Sequence, residues 1–225
     1  MGIPRPLVAK TFFSSKNAHS YDKLVRLATF GKDSIWKKNV VMMLSHDDRY
    51  ILDLACGTGI LSSYIPKQVG RLIVGSDLTR DYLLIAKNTG IYLLLTNSVA
   101  EFLPYRTGIF DTIISSYLAK YVDLRQVVNE HWRILNRGGV AVFHDFTLPK
   151  RPVIQNLWKF YFKILYFSGI FLSNWKNVFS NLDKVIIGSE WVADLMRELG
   201  QAGFQSISCK YYTLETSAIV SAVKP

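Results

Sequence analysis

The stretch that most limits what this chain can become is RYILDLACGTG at residues 49–59. A short apolar run ends on an acid, Asp53. Leu54, Ala55 and Cys56 then lead into Gly57 and Gly59, with Thr58 between them. An apolar run of this length without polar alternation reads as a strand buried on both faces. Glycines at its end let the backbone take positive φ and approach a ligand closely. A helix starting there would present free N–H groups. Such a strand has to be covered on both sides, which points to a parallel α/β sheet.

The rest of the chain keeps that rhythm. Strand-like runs fall at residues 71–77 (RLIVGSD), 91–96 (IYLLLT), 110–116 (FDTIISS) and 138–146 (GGVAVFHDF), the last entered by a Gly-Gly turn. Two alternating runs, near FQSISCK and TSAIVSAVK, come last, and helical stretches lie at 80–87 and 124–135. The pattern predicts a three-layer α/β sandwich around a seven-stranded, mostly parallel, Rossmann-like sheet. A single domain is expected. It divides into a basic helical cap at 1–48, a core at 49–148, an insertion at 149–188 after the fifth strand, and a closing helix and strand pair at 189–225. A loop of some forty residues without secondary structure is uncommon, so the insertion is expected to be helical.

Lysine and arginine number 27 against 17 acids, a net charge of +10. That favours a polyanionic neighbour, nucleic acid or an anionic membrane, without choosing between them. Cys56 and Cys209 lie far apart, which argues against a disulfide framework and for a reducing compartment. MGIPRPLVAK reads as no signal peptide, and no uncharged run of spanning length occurs. Cysteine and histidine show no metal-ligand spacing, so no metal is expected.

Two ligands suit the glycine turn, a dinucleotide and S-adenosyl-L-methionine (SAM). The dinucleotide fingerprint wants a third glycine, where this chain has Ser62. Asp77, closing the second strand beside Leu78, would accept hydrogen bonds from ribose hydroxyls in either case. Asp53 separates the two: a carboxylate there repels a pyrophosphate but suits a sulfonium and an ammonium. The turn therefore favours SAM.

DLACGTG, together with SYDKLVRLATFGKDSIWKK (residues 20–38), RILNRGGVAVFHDFTLP (residues 133–149), AEFLPY (residues 100–105) and ELGQAGFQSI (residues 198–207), resembles the ubiquinone/menaquinone biosynthesis C-methyltransferase family of class I SAM-dependent methyltransferases. The resemblance covers almost the whole chain. It implies cofactor contacts at Thr58 in the turn, at Asp77 on the ribose, at Val99 and Ala100 beside the adenine, and at Ser115 and Ser116 near the methionine end. Tyr21 would close over the cofactor from the cap. Three positions depart from the family pattern. Val99 stands where Asp or Asn is usual, and Val25, Asp33 and Ser34 where the family has an Asn and a His-Arg pair. Ala119 and Lys120 stand where it carries Arg-Asn beside the reacting ring.

Methyl transfer to a ring carbon needs a neighbouring hydroxyl to lose its proton. Lys120 would supply a cation for the phenolate, or be a solvated loop charge. His144 or Asp145, at the C-terminal end of the fifth strand, would be the base; strand alternation lets at most one of them face the site. In the insertion, Ile154, Leu157, Trp158, Tyr161, Phe162 and Leu165 share one helical face, and Arg151, Gln155, Lys159 and Lys163 another. This fits a helix lying in a membrane interface, a lid packed on the domain, or both. No flipped-base motif is present, and the basic residues spread over 5–49 and 150–176, so a membrane is favoured over nucleic acid. The expectation is a cytoplasmic enzyme, peripheral on the inner face of the membrane, that methylates a demethylmenaquinol-type ring. The alternatives are N- or O-methylation of another amphipathic acceptor such as a phospholipid amine, and a SAM-binding protein without catalysis.

Overall fold

A computed structural model describes residues 12–13, 15–171 and 173–225. The first eleven residues of the expected cap and Leu172 of the expected insertion helix lie outside them. The strands are β1 Tyr50–Leu54, β2 Leu72–Asp77, β3 Leu94–Asn97, β4 Phe110–Ser116, β5 Leu135–Phe146, β6 Gln205–Tyr212 and β7 Ser217–Val223. They form one sheet in the order β3-β2-β1-β4-β5-β7-β6. The first five run parallel, and β7 pairs antiparallel with both β5 and β6. This is the expected seven-stranded Rossmann-like sheet. Its order reverses between β1 and β4, and ligands bind at the carboxyl ends of strands beside such a switch.

Helices α1 Ser15–Ala18, α2 Tyr21–Ala28 and α3 Lys32–Val41 precede β1, and α4 Arg80–Lys87 joins β2 to β3. Helix α5 Leu124–Ile134 joins β4 to β5, α6 Pro152–Phe171 and α7 Lys176–Ile187 follow β5, and α8 Trp191–Gln201 leads to β6. The α5 helix starts where the Asp123 side chain accepts the Gln126 N–H at 3.1 Å. It buries Leu124, Val127, Val128, His131 and Ile134, one face at helical spacing. These pack with Leu52, Leu54, Ile113, Phe143 and α8 in the larger core.

Three elements differ from the sequence reading. No α-helix follows the glycine turn, only a 3-10 turn at Ser62–Tyr64. Pro66 is the reason: it lacks an N–H, its ring would strike the carbonyl four residues back, and it holds Ile65 extended at ψ 125°. β5 starts at Leu135, before the Gly-Gly pair rather than at it. Gly139 sits inside the strand because a Cβ there would lie 2.9 Å from the Asn136 carbonyl and 3.0 Å from that of Asp111. β3 is shorter than expected, because Ile91 and Tyr92 turn under the sheet to pack on Ile51, Ile73 and their neighbours.

Candidate active site

The glycine turn is built from positive φ angles at Ala55 (58°), Gly57 (55°) and Gly59 (89°). Asp77 ties it to β2. One carboxylate oxygen accepts the Gly57 N–H at 2.9 Å and the other the Thr79 N–H at 2.7 Å. Thr58 donates to Asp22 of α2 at 2.7 Å, which latches the cap onto the turn. At the end of β1, Asp53 has no exposure. Its Oδ2 accepts from Ser62 at 2.6 Å and from Tyr92 at 2.9 Å, while Oδ1 is buried with no partner among the described residues. Burial pushes its pKa up to about 6 against the pull of those two hydroxyls. Burial likewise raises Asp77 and Asp22.

These groups open onto a cleft of about 980 Å³, counting the solvent at its mouth. Tyr21, Asp53, Leu54, Ala55, Gly57, Thr58, Asp77, Leu78, Val99, Ala100 and Ser116 all line it. Gly59 and Ser115 do not. A Cβ on Gly59 would lie 3.1 Å from the Tyr92 ring, so that glycine serves the turn and its packing. Ser115 is buried in β4, whose alternation turns Ser116 toward the cleft.

A second hollow of about 1430 Å³, again counting the solvent at its mouth, adjoins the first. Helices α2, α3, α6 and α7 and the 3-10 turn Ser173–Trp175 wall it with aromatic and aliphatic side chains, among them Trp36, Trp158, Phe162, Trp175 and Phe179. Phe13, Tyr21, Tyr117 and Tyr121 line both hollows and form the wall between them.

Lys120 lines this second cavity from the 3-10 turn Ala119–Tyr121 and is 4% exposed. The reading as a solvated loop charge is therefore corrected: the turn docks on the end of β5, and the ammonium pairs with Asp145. It also lies 5.6 Å from the centre of the Tyr121 ring and 5.4 Å from that of Phe146. Burial lowers the Lys120 pKa well below the usual ammonium value. Asp145 Oδ1 also accepts the Phe146 N–H, and Oδ2 is buried without a partner among the described residues. His144 points to the other side of β5. Its ring nitrogens meet Ser116 Oγ at 3.0 Å and Ser217 Oγ at 2.9 Å, and burial lowers its pKa. Neither His144 nor Asp145 lines either hollow; Asp145 reaches the second one only through Lys120.

The structure adds a cluster absent from the sequence reading. Asp33 and Lys37 of α3 form a buried ion pair, and the Tyr117 hydroxyl donates to Asp33 at 2.6 Å. The signal was an acid and a base four residues apart, which on a helix share a face. Among the described residues no group of three or more metal-ligating side chains occurs.

The cleft fits SAM. The unpartnered buried oxygen of Asp53 calls for a cation, which both the sulfonium and the ammonium supply, and the described lining residues hold no cluster of cations for a pyrophosphate. Residues 5–224 match the model described as the ubiE/COQ5 methyltransferase family. The demethylmenaquinone methyltransferase of Chlorobaculum parvum is 28% identical over 92% of this chain and 89% of its own length. That of Thermus thermophilus is 28% identical over 94% and 99%. The ubiquinone/menaquinone biosynthesis C-methyltransferase UbiE of Campylobacter jejuni is 28% identical over 92% and 94%. Among solved structures, a SAM-dependent methyltransferase of Thermotoga maritima superposes with a TM-score of 0.62 at 18% identity, over 94% of this chain and 97% of that one. One assigned to the same class, from Methanococcus maripaludis, gives 0.66 at 16% identity over 94% and 93%. At these identities the structural likeness is one of fold.

Proposed function

The chain belongs to the ubiE/COQ5 methyltransferase family and is a SAM-dependent methyltransferase; from that premise we propose that it methylates a ring carbon of a demethylmenaquinol-type prenylated quinol. The observation that carries this reading is the joint between the two hollows. A mainly apolar cavity, large enough for a ring and part of a prenyl tail, meets the cofactor cleft along Phe13, Tyr21, Tyr117 and Tyr121. The relatives from Chlorobaculum and Thermus are demethylmenaquinone methyltransferases, which supports the same acceptor here.

Bound SAM supplies an electrophilic methyl group on a sulfonium. Asp77 and the glycine turn hold the ribose side, and Asp53 faces the positive end. The aromatic wall aligns the acceptor and keeps water out. Lys120, held from behind by Asp145, sets its ammonium toward the acceptor cavity, where a cation favours the ionised form of the quinol hydroxyl. The ring hydrogen that the methyl group replaces leaves as a proton. His144, bonded on both ring nitrogens, keeps Ser116 and Ser217 in place.

The same reading makes the protein peripheral on the cytoplasmic face of a membrane, where such an acceptor resides. The aromatic face of α6 lines the acceptor cavity as a lid. A second apolar stripe, Val153, Leu157, Phe160, Ile164 and Phe167, is exposed, with Lys159 and Lys163 at its flank. Leu157 belongs to both. Among the described residues no helix is long and apolar enough to cross a membrane.

The test uses methyl-labelled SAM with reduced demethylmenaquinone in anionic liposomes, and phosphatidylethanolamine as a parallel acceptor. Label recovered on the quinone supports the reading. Label on the amine lipid alone, or on neither while SAM binds, overturns it.

A further inference from the structure

Lys37 is 2% exposed and sits one turn after Asp33 on α3. Its ammonium pairs with Asp33 and lies 4.9 Å from the centre of the Tyr117 ring. An ammonium carries three donors, and among the described residues Asp33 is its hydrogen-bond partner. A buried charge with open donors is costly unless something completes it. Lys37 also lines the cofactor cleft, beside Asp53, Ser116 and Tyr117. Among the described lining residues it is the one cation, set against Asp53, Asp77 and Glu101. Its ammonium lies over Tyr117, which follows β4, whereas Asp77 closes β2 on the other side of β1, so it sits at the end of the cleft away from the ribose.

SAM is positive at its sulfonium and its ammonium and negative at a single group, the carboxylate of its methionine end. One anion on the ligand meets one cation on the wall. Resting on the SAM reading of the cleft, we propose that Lys37 binds the cofactor carboxylate while Asp33 and Tyr117 position its ammonium. Asp53 and Lys37 together then recognise an amino-acid zwitterion, so the cleft selects for the methionine end as well as for the nucleoside. Tyr117 is part of this arrangement by its shape. It holds φ 63°, uncommon for a bulky side chain, with its ring stacked on Phe146 at 4.6 Å and its hydroxyl on Asp33. Strain of that kind persists where the surroundings enforce it.

The experiment is calorimetric titration of the full chain with SAM and with decarboxylated SAM, which lacks only the carboxylate. The natural chain should bind SAM about 10- to 100-fold more tightly than the decarboxylated ligand, the range for a hydrogen bond between charged groups. Lys37→Met should bring SAM down to the level of decarboxylated SAM and leave the latter within about threefold. Lys37→Arg should keep most of the preference, and Asp33→Asn, which leaves the ammonium in place, part of it. Should Lys37→Met fail to fold with Asp33 left as an unpaired buried charge, the Asp33→Asn/Lys37→Met double variant removes both charges and runs the same comparison. A Lys37→Met or double variant that keeps the full preference, or that weakens both ligands equally, overturns the inference. So does a natural chain that binds the two ligands alike. A natural chain that binds neither overturns the SAM reading itself.

Discussion

A carboxyl group that never meets water ionises late unless a cation is at hand, and Asp53 is in that position. Its pKa in the ligand-free cleft is pushed up to about 6 by burial. A ligand with two positive centres binds the ionised form, so binding releases a proton wherever the free group is protonated. SAM affinity should therefore be level above about pH 7 and fall as the pH drops through 6, by about tenfold between pH 7 and 5. Titration calorimetry across that range checks it, and Asp53→Asn should flatten the profile. Asp77 serves two ends at once. Besides facing the ribose, its two oxygens hold the backbone of Gly57 and Thr79. Asp77→Ala should weaken SAM at least about tenfold and also lower the Tm of the ligand-free protein by several degrees, because two backbone N–H groups lose their acceptor. Weakened binding with an unchanged Tm would reduce Asp77 to a ribose contact; unchanged binding would remove it from the site.

At the scale of the element, α6 carries two apolar faces with different work. The inward one covers the acceptor cavity, and the outward stripe is left to a lipid surface. Phe160→Asp/Phe167→Asp should cut co-sedimentation with anionic liposomes several-fold while leaving the Tm within about 2 °C, since both rings are 62% exposed. Binding that survives this pair of changes and also survives Lys159→Glu/Lys163→Glu would leave α6 a lid alone. The outward stripe was legible in the sequence but hidden by a scheme that sets one apolar face against one basic face. Elements whose form follows from local pattern were read well. The central strands are continuous apolar runs, and α4 occupies the expected residues 80–87. The helix missing after the glycine turn was also written locally, in Pro66, yet outweighed by the usual form of that turn. The pairings at the site were harder. Lys120 meets Asp145 across 25 residues and Tyr117 meets Asp33 across 84, and no periodicity announces a contact that only the closed fold makes. The departures at Asp33 and Lys120 marked where to look, and each turned out to be half of a buried pair.

At the scale of the molecule, the cap and the insertion close on each other over both hollows. Tyr21 stacks on Trp175 with centroids 6.0 Å apart, Trp175 donates to Ser20 at 2.9 Å, and Tyr161 donates to the Ala28 carbonyl at 2.5 Å. Asp22, one residue after Tyr21, is bonded to Thr58 in the glycine turn. A cofactor that draws Tyr21 inward therefore also settles Trp175, which lines the acceptor cavity and not the cofactor cleft. Each ligand orders contacts that the other needs, so the two should bind with positive cooperativity, and by linkage the effect is reciprocal. Trp175→Ala removes a ring that stacks on the cofactor-lining Tyr21 without itself lining the cleft, and it should weaken SAM several-fold. In a double-mutant cycle, Tyr21→Ala and Trp175→Ala should couple by about 1 kcal/mol in SAM affinity, as expected for a stacked aromatic pair. Additive effects, or a Trp175→Ala variant with undiminished SAM affinity, would mean that the two hollows share a wall without sharing energy, and that the lid answers to the acceptor alone.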